Sequence, residues 1–348
     1  MDDCDVLIVG GGPAGSSCAW RLRRAGVAVT VLDRARFPRD KPCAGWITPG
    51  VLAALELDPA EYSRQHVMQP ITGFRTGVIG SRAIETRYGR AVSYGIRRCE
   101  FDHFLLRRSG ARLLAPAPAE RIERAGGSWL VNGRIRARIL VGAGGHFCPV
   151  ARMLGAVPSA EHAVVAREAE FEIAPAAHPE VDPELPELWF CEDFKGYGWL
   201  FRKGDYLNVG LGRLDREHLP EHFSRFLRAA AHAPQGLPVA PRGHAYLVRE
   251  TCTRRVADGG VLLIGDAAGL AAPASGEGIR AAVESGLLAA EAILEGAAGI
   301  ARYPARLAGR FGPAGAGGRS YPPALIRLLM RSRWFTRHIL LDRRFLAS

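Results

Sequence analysis

The segment Gly10-Gly11-Gly12-Pro13-Ala14-Gly15 constrains this chain of 348 residues more than any other. It follows a β-branched run, Asp5-Val6-Leu7-Ile8-Val9, and leads into 16–25, which reads as a helix stopped by Gly26. A second apolar run, 27–32, ends in Asp33 with Arg34 beside it, about twenty residues past the glycines. Strand, glycine turn, helix and strand predict a βαβ unit that binds a dinucleotide. Gly10 permits the tight turn, Gly12 lets backbone approach a pyrophosphate, and Gly15 allows close helix–strand packing. The helix start at Pro13 and Ala14 offers unpaired N–H groups to the anion. Asp33 is placed to accept hydrogen bonds from ribose hydroxyls. The segment alone fits FAD and NAD equally.

Composition narrows the class. At 48% hydrophobic and 23% charged residues the chain reads as an ordinary globular protein, long enough for two domains. Only Lys41, Lys195 and Lys203 are lysines among 46 basic residues, and the Arg, Ala and Gly excess points to a GC-rich bacterial gene. Residues 301–348 hold ten arginines against Asp342, so nine of the eleven net positive charges lie there. That distribution speaks against nucleic acid, whose partners carry basic residues over the folded body. Seven scattered cysteines without a Cys-x-x-Cys pair exclude a disulfide framework or zinc ribbon. The acidic start Met1-Asp2-Asp3-Cys4-Asp5 lacks the basic segment of a signal peptide, and no apolar run is long enough for a membrane span. A cytoplasmic protein, peripheral to a membrane at most, is expected.

Four further segments carry a family resemblance. They are Lys41-Pro42-Cys43-Ala44-Gly45; Arg98-Cys99-Glu100-Phe101-Asp102 with Leu105; Gly265-Asp266 after the run 261–264, continued by Pro273-Ala274-Ser275-Gly276-Glu277-Gly278-Ile279; and Tyr197-Gly198-Trp199-Leu200-Phe201-Arg202-Lys203-Gly204 with Asn208-Val209-Gly210. Together they resemble the FAD-dependent geranylgeranyl reductase-like flavoproteins, within the hydroxybenzoate-hydroxylase fold group. The resemblance implies FAD as cofactor. It places the Lys41, Cys43 and Ala44 loop along the flavin, with Ala44 standing where the family has glycine, and Arg98 toward the FAD phosphates or ribityl chain. Asp266 after Gly265 binds a ribityl hydroxyl in such proteins. Pro273, Gly276, Gly278 and Ile279 form a helix start whose amides face the flavin pyrimidine edge, where reduced flavin carries negative charge. Alternation puts Tyr197, Trp199 and Phe201 on one face of a strand, as a wall of an elongated apolar pocket or as an aromatic core strand. Gly144, in Val141-Gly142-Ala143-Gly144-Gly145-His146, replaces the aspartate of the related hydroxylases. That substitution disfavours direct reduction by NAD(P)H and favours ferredoxin or a flavin reductase as donor.

Other patterns carry less. His218-Leu219-Pro220-Glu221-His222 has a zinc-binding spacing, but Pro220 interrupts that helix or begins a new one, so no metal is expected. Cys43 is either a thiol reacting near the flavin or a small packed side chain. From Tyr321 to Leu341, apolar residues interleave with Arg327, Arg331, Arg333 and Arg337, as in an amphipathic helix pair. Such a tail either packs on the body or attracts anionic lipid.

The expected fold class is α/β: a Rossmann-like FAD-binding domain with an inserted antiparallel-sheet substrate domain and a short helical C-terminal tail. The expected boundaries are 1–70, 91–155 and 256–300 for the first, 71–90 and 156–255 for the second, and 301–348 for the tail. The expected function is reduction of carbon–carbon double bonds in a prenyl or other long apolar substrate, with Cys43 or Tyr197 as proton source and Trp199 lining the pocket. The alternatives are a flavin-dependent monooxygenase or halogenase, in which reduced flavin captures oxygen, and a flavin-bound scaffold at a membrane.

Overall fold

The computed structural model describes residues 2–174, 177–215, 217–230, 232–234, 236–315 and 322–346. The chain divides into two compact units, each assembled from three stretches of sequence.

The first unit comprises Met1–Asp40, Cys99–Glu161 and Tyr246–Gly318. Its sheet runs Val261–Leu263, Ile135–Gly142, Asp2–Val9, Val29–Leu32 and Arg112–Leu114 in spatial order, each strand parallel to the next. Ala257–Asp258 adds an antiparallel edge, and the hairpin Ile122–Ala125 and Ser128–Val131 extends from Ile135–Gly142. The inner strands read as continuous apolar runs because both faces are covered, and Leu7, Ile8, Val31, Leu140 and Leu262 are fully buried. Helices Pro13–Arg24 and Ile279–Leu294 lie against each other. A Cβ on Gly286 would come within 2.4 Å of the Ala14 carbonyl oxygen, so small residues set that approach.

The second unit comprises Lys41–Arg98, His162–Ala245 and Arg319–Ser348. Its seven-stranded sheet has the order Arg242–Tyr246, Val164–Glu172, Tyr206–Arg213, Gly196–Lys203, Glu187–Phe190, Gly73–Val78 and Ile84–Arg87. From Val164–Glu172 to Glu187–Phe190 each strand is antiparallel to the next, as are Gly73–Val78 and Ile84–Arg87, whereas Glu187–Phe190 and Gly73–Val78 run parallel. A separate three-stranded sheet joins Trp46–Ile47, Ser93–Ile96 and Met68–Ile71. Helix Leu219–Ala229 covers one face through Leu219, Phe223 and Phe226.

The α/β class with an antiparallel second sheet is therefore observed, but the units divide elsewhere than the expected boundaries. Stretches 41–70 and 91–98 group with the second unit, because the small sheet they form packs on its strand Gly196–Lys203 through Trp46, Phe201 and Lys203. Stretch 301–311 is no separate tail: it continues helix Ala297–Phe311, whose Tyr303 and Leu307 are buried in the first unit. The Tyr303 hydroxyl donates to the Leu263 carbonyl at 2.8 Å. Residues 322–346 form helix Pro323–Leu329 and the π-helix Phe335–Phe345; 316–321 and 347–348, Tyr321 among them, lie outside the described residues. No helix among the described residues is long and apolar enough to cross a membrane.

Candidate functional site: a dinucleotide cradle and a charged loop anchor

Gly10 adopts φ +115° after strand Asp2–Val9, and a Cβ there would stand 2.4 Å from the Ala143 carbonyl oxygen. The turn thus rests on the 143–144 backbone, where Gly144 stands. A Cβ on Gly15 would meet the Gly10 carbonyl oxygen at 1.9 Å. Gly12 differs, since its Cβ position is bounded only by an Arg39 guanidinium nitrogen at 3.4 Å. Two of the three glycines are therefore required by the fold itself, and the third leaves space above the backbone. Gly12 also precedes helix Pro13–Arg24, where no side chain caps the first turn and no acid stands in it, so the amides of Ala14 and Gly15 and the positive end of the helix dipole face that space. The buried Asp33 carboxylate accepts from the Gly11 N–H at 2.7 Å and the Ala35 N–H at 2.8 Å. It locks the turn to the strand end and keeps lone pairs for a ribose hydroxyl. Arg34 is exposed.

The second cofactor motif packs on the same turn. Gly265 has φ +59°, donates its N–H to Ser285 Oγ at 2.9 Å, and would bring a Cβ within 3.0 Å of the Ala14 side chain. Asp266 is half-buried, and its Oδ1 would lie 3.2 Å from a Cβ on Gly278, which begins helix Ile279–Leu294. Gly276, at φ +66°, leaves room for the Tyr246 hydroxyl; Ile279 is buried and Pro273 exposed. Between these glycines, Glu277 holds Oε1 buried with no hydrogen-bond partner, while Oε2 lies 3.4 Å from Arg280. An orphaned buried carboxyl oxygen beside an open glycine backbone fits a ligand edge that would satisfy it. Gly10, Gly12, Pro13, Ala14, Gly15, Asp33, Gly265, Asp266, Gly276, Gly278 and Ile279 are thus gathered in one unit, in an arrangement that fits FAD.

Lys41, Cys43, Ala44, Arg98, Tyr197 and Trp199 lie in the second unit. Arg98 is buried at the start of helix Arg98–Arg108, and Lys41, Cys43 and Ala44 are half-buried. Tyr197, Trp199, Phe201 and Lys203 share one face of strand Gly196–Lys203, as alternation predicts. Trp199 is opposite Gly210, whose missing Cβ makes room for the indole: a Cβ there would be 2.2 Å from the ring. Its Nε1 donates to Asn208 Oδ1 at 2.8 Å. Asn208-Val209-Gly210 is therefore a seat for Trp199. Tyr197, Trp199 and Phe201 join Trp46, Phe74 and Phe345 in an aromatic cluster.

Lys203 extends that face and is fully buried. It pairs with Glu170 and donates to the carbonyls of Ala44 and Ile96, each at 3.1 Å. Asn208 Nδ2 donates to Glu170 at 3.0 Å, to Glu168 at 3.1 Å and to the Cys43 carbonyl at 3.2 Å. The Cys43 N–H donates to Glu168. Loop 43–45 is thus held by a network of two carboxyls, one lysine and one amide. Burial pushes Glu168 up to about 7, against the pull of Lys203, whereas at Glu170 burial is outweighed by Lys203, Asn208 and Arg97 acting together, which hold it below the usual range.

Burial also pushes Glu277 up to about 7 from an ordinary 4.5. Unfolded, such a carboxyl ionises near 4.5, while folded it keeps its proton until about 7. The unfolded state therefore loses protons first, and the contribution of both groups to stability, whole below the lower value, is lost as pH rises through the upper one. The urea midpoint of the apoprotein is expected to fall between about pH 5 and about pH 8. Glu277→Gln should make that fall shallower, and an unchanged slope in the variant would contradict the assignment.

Sequence reasoning missed Arg39, Glu168, Glu170 and Arg254. Arg39 pairs with the fully buried Asp102 at 3.3 Å and stands at the open side of Gly12. Arg254 binds Glu161, the His146 carbonyl and the Ala267 carbonyl, so it braces the Gly265-Asp266 turn against the 144–146 loop. Pro220 begins helix Leu219–Ala229 rather than interrupting one, and His218 precedes it in left-handed backbone. Cys18, Cys148, Cys191 and Cys252 are buried; Cys4, Cys43 and Cys99 are half-buried.

Comparisons with known proteins agree with this geometry. Residues 5–101 match the FAD dependent oxidoreductase family and residues 121–303 the FAD binding domain family. The menaquinone reductase of Mycobacterium tuberculosis is 32% identical over 336 residues, covering 89% of this chain and 81% of its own. The geranylgeranyl diphosphate reductase of Rhodobacter capsulatus is 30% identical over 316 residues, covering 83% and 75%. Among solved structures, a geranylgeranyl bacteriochlorophyll reductase-like protein from Thermoplasma acidophilum superposes with TM-score 0.79 at 21% identity, over 95% of this chain and 91% of that one. A probable FAD-dependent monooxygenase from Pseudomonas aeruginosa gives 0.69 at 22% identity, over 89% and 93%. These two likenesses concern the fold. The cofactor is FAD and the class is FAD-dependent oxidoreductase. The chain belongs to the geranylgeranyl reductase-like family of these flavoproteins.

Proposed function

We propose that this protein reduces carbon–carbon double bonds in the isoprenoid chain of an apolar substrate. One observation carries the reading: relatives at 30% identity or more are named for substrates with unrelated head groups, menaquinone and geranylgeranyl diphosphate. What those molecules share is the isoprenoid chain, so the chain is the part a common site would treat alike. FAD, when bound, supplies the hydride. The protein's own residues hold the cofactor through the Gly12 backbone, the helix start at Pro13 and Ala14, Asp33 and Asp266.

Reduction of an alkene also needs a proton, and Cys43 Sγ and the Tyr197 hydroxyl are the proposed sources. The Gly45 N–H donates to Cys43 Sγ at 3.4 Å, and so faces the sulfur that would be left after proton loss. Glu168 and Asn208 fix the backbone on either side of that thiol. Trp199 is buried on its seat at Gly210 and backs the half-buried Tyr197, whose ring centroid is 6.1 Å away.

Anaerobic incubation of chemically reduced holoprotein with menaquinone, followed by exposure of the product to air and mass spectrometry, tests the reading independently of the natural electron donor. Reduction of the chain leaves a permanent gain of one H2 for each bond reduced. A gain that air reverses would mean that only the quinone ring had been reduced. Oxygen found in the product of an aerobic run, with no H2 gained anaerobically, would favour the monooxygenase reading.

A further inference from the structure

Residues 322–346 divide into a covered half and a bare half. In the π-helix Phe335–Phe345, Thr336, Leu341 and Phe345 are buried, the last two in the cluster with Phe74 and Phe201. Asp342 accepts from the Tyr88 hydroxyl at 2.7 Å, and Arg337 lies over the Tyr88 ring at 5.1 Å. The preceding stretch is different. On helix Pro323–Leu329, Leu325, Leu328 and Leu329 are exposed at i, i+3 and i+4 spacing, which makes them one stripe. Leu328 is 63% and Trp334 64% exposed. Four of the exposed large apolar side chains among the described residues therefore fall within ten consecutive positions.

The segment itself carries one sign of charge, although Arg327 also reaches the Glu192 carbonyl at 3.5 Å. Arg327, Arg331, Arg333 and Arg337 are exposed, and no acid occurs between 322 and 341. A shallow groove of 440 Å³ lies between Arg327 and Arg331, floored by Pro323, Ala324 and Leu328. We propose that 322–337 is an interfacial anchor which seats Leu325, Leu328, Leu329 and Trp334 in the surface of an anionic phospholipid bilayer. Tryptophan and leucine beside arginine suit the boundary between head groups and acyl chains, and the arginines match anionic head groups. A second copy fits poorly, because a self-complementary contact would set one arginine cluster against another.

Sucrose-gradient flotation of FAD-loaded full-length protein tests this, with vesicles of phosphatidylcholine alone or mixed with phosphatidylglycerol. The wild type is expected to float with the mixed vesicles and remain in the dense fraction with phosphatidylcholine. Leu328→Glu and Arg331→Glu/Arg333→Glu should each lower the bound fraction about tenfold or more, with unchanged flavin spectrum and melting temperature. Three results would overturn the proposal: no flotation of the wild type at low ionic strength; equal flotation of Leu328→Glu, which would assign binding to the overall charge; or a wild-type dimer in gel filtration that Leu328→Glu makes monomeric. None of these readouts depends on which substrate is reduced.

Discussion

Gly12→Val is expected to leave the apoprotein folded and to raise the FAD dissociation constant at least about a hundredfold, or about 3 kcal/mol. The folded chain offers little resistance to a side chain there: a Cβ meets only the end of Arg39, a flexible group, at 3.4 Å. A ligand would resist it, because the space above Gly12 is where backbone amides and an uncapped helix start converge on an anion. Gly15→Val supplies the contrast. Its Cβ would lie 1.9 Å from the Gly10 carbonyl oxygen, so backbone must move, and apoprotein stability should fall by about 1–3 kcal/mol or more. Urea denaturation and fluorimetric FAD titration of both variants separate the two roles. Full FAD retention by Gly12→Val would remove the pyrophosphate from this turn, and unfolding of Gly12→Val would make the glycine structural.

Lys203→Met should cost about 3–5 kcal/mol of stability. The ammonium is fully buried, pairs with Glu170 and is held by two carbonyls; methionine fills the stem's volume and leaves Glu170 without its main compensation. Adding Glu170→Gln removes the stranded charge, so the double variant should recover a substantial part of the loss. Denaturant unfolding of the four proteins in the cycle measures the coupling. Strict additivity would mean that the pair contributes nothing beyond its separate members. Because the same lysine holds the Ala44 carbonyl, alkylation of Cys43, followed by peptide mass spectrometry, should become faster in Lys203→Met.

The βαβ unit was legible because each of its parts has a local cause: a glycine where the backbone turns at positive φ, apolar runs at strand spacing, and an acid at the next strand end. Gly10 and Gly15 are accordingly found in the tight turn and the close packing read from sequence, while Asp33, at the strand end, holds the Gly11 and Ala35 amides. The Lys203 network was not legible, since Glu168, Glu170, Asn208 and Lys203 come together only through strand register. Glu170 stands opposite Asn208, and Asn208 opposite Phe201, and those pairings are a matter of register across three strands, which no local pattern around any one of the four residues reveals. The alternation of Tyr197, Trp199 and Phe201 was readable, while the reason for Asn208 and Gly210 emerged only with the indole in place. Arg39 gave no signal in the sequence, because its partner Asp102 is distant along the chain. The unit boundary near residue 41 was hidden for a similar reason: two- to four-residue strands leave almost no periodic signal, yet the packing of the sheet they form on strand Gly196–Lys203 decides the unit in which 41–98 belongs.

The central claim is that reduced flavin in this protein returns its electrons to an isoprenoid chain. Anaerobic stopped-flow mixing of the dithionite-reduced holoprotein with geranylgeranyl diphosphate, watching the flavin absorbance, tests it most directly, because this substrate has no quinone ring to accept the electrons instead. Reoxidation is expected at a rate that depends on substrate concentration, and none with the fully saturated analogue. Flavin that stays reduced with both the diphosphate and menaquinone, and reoxidises only when oxygen is admitted, would contradict it.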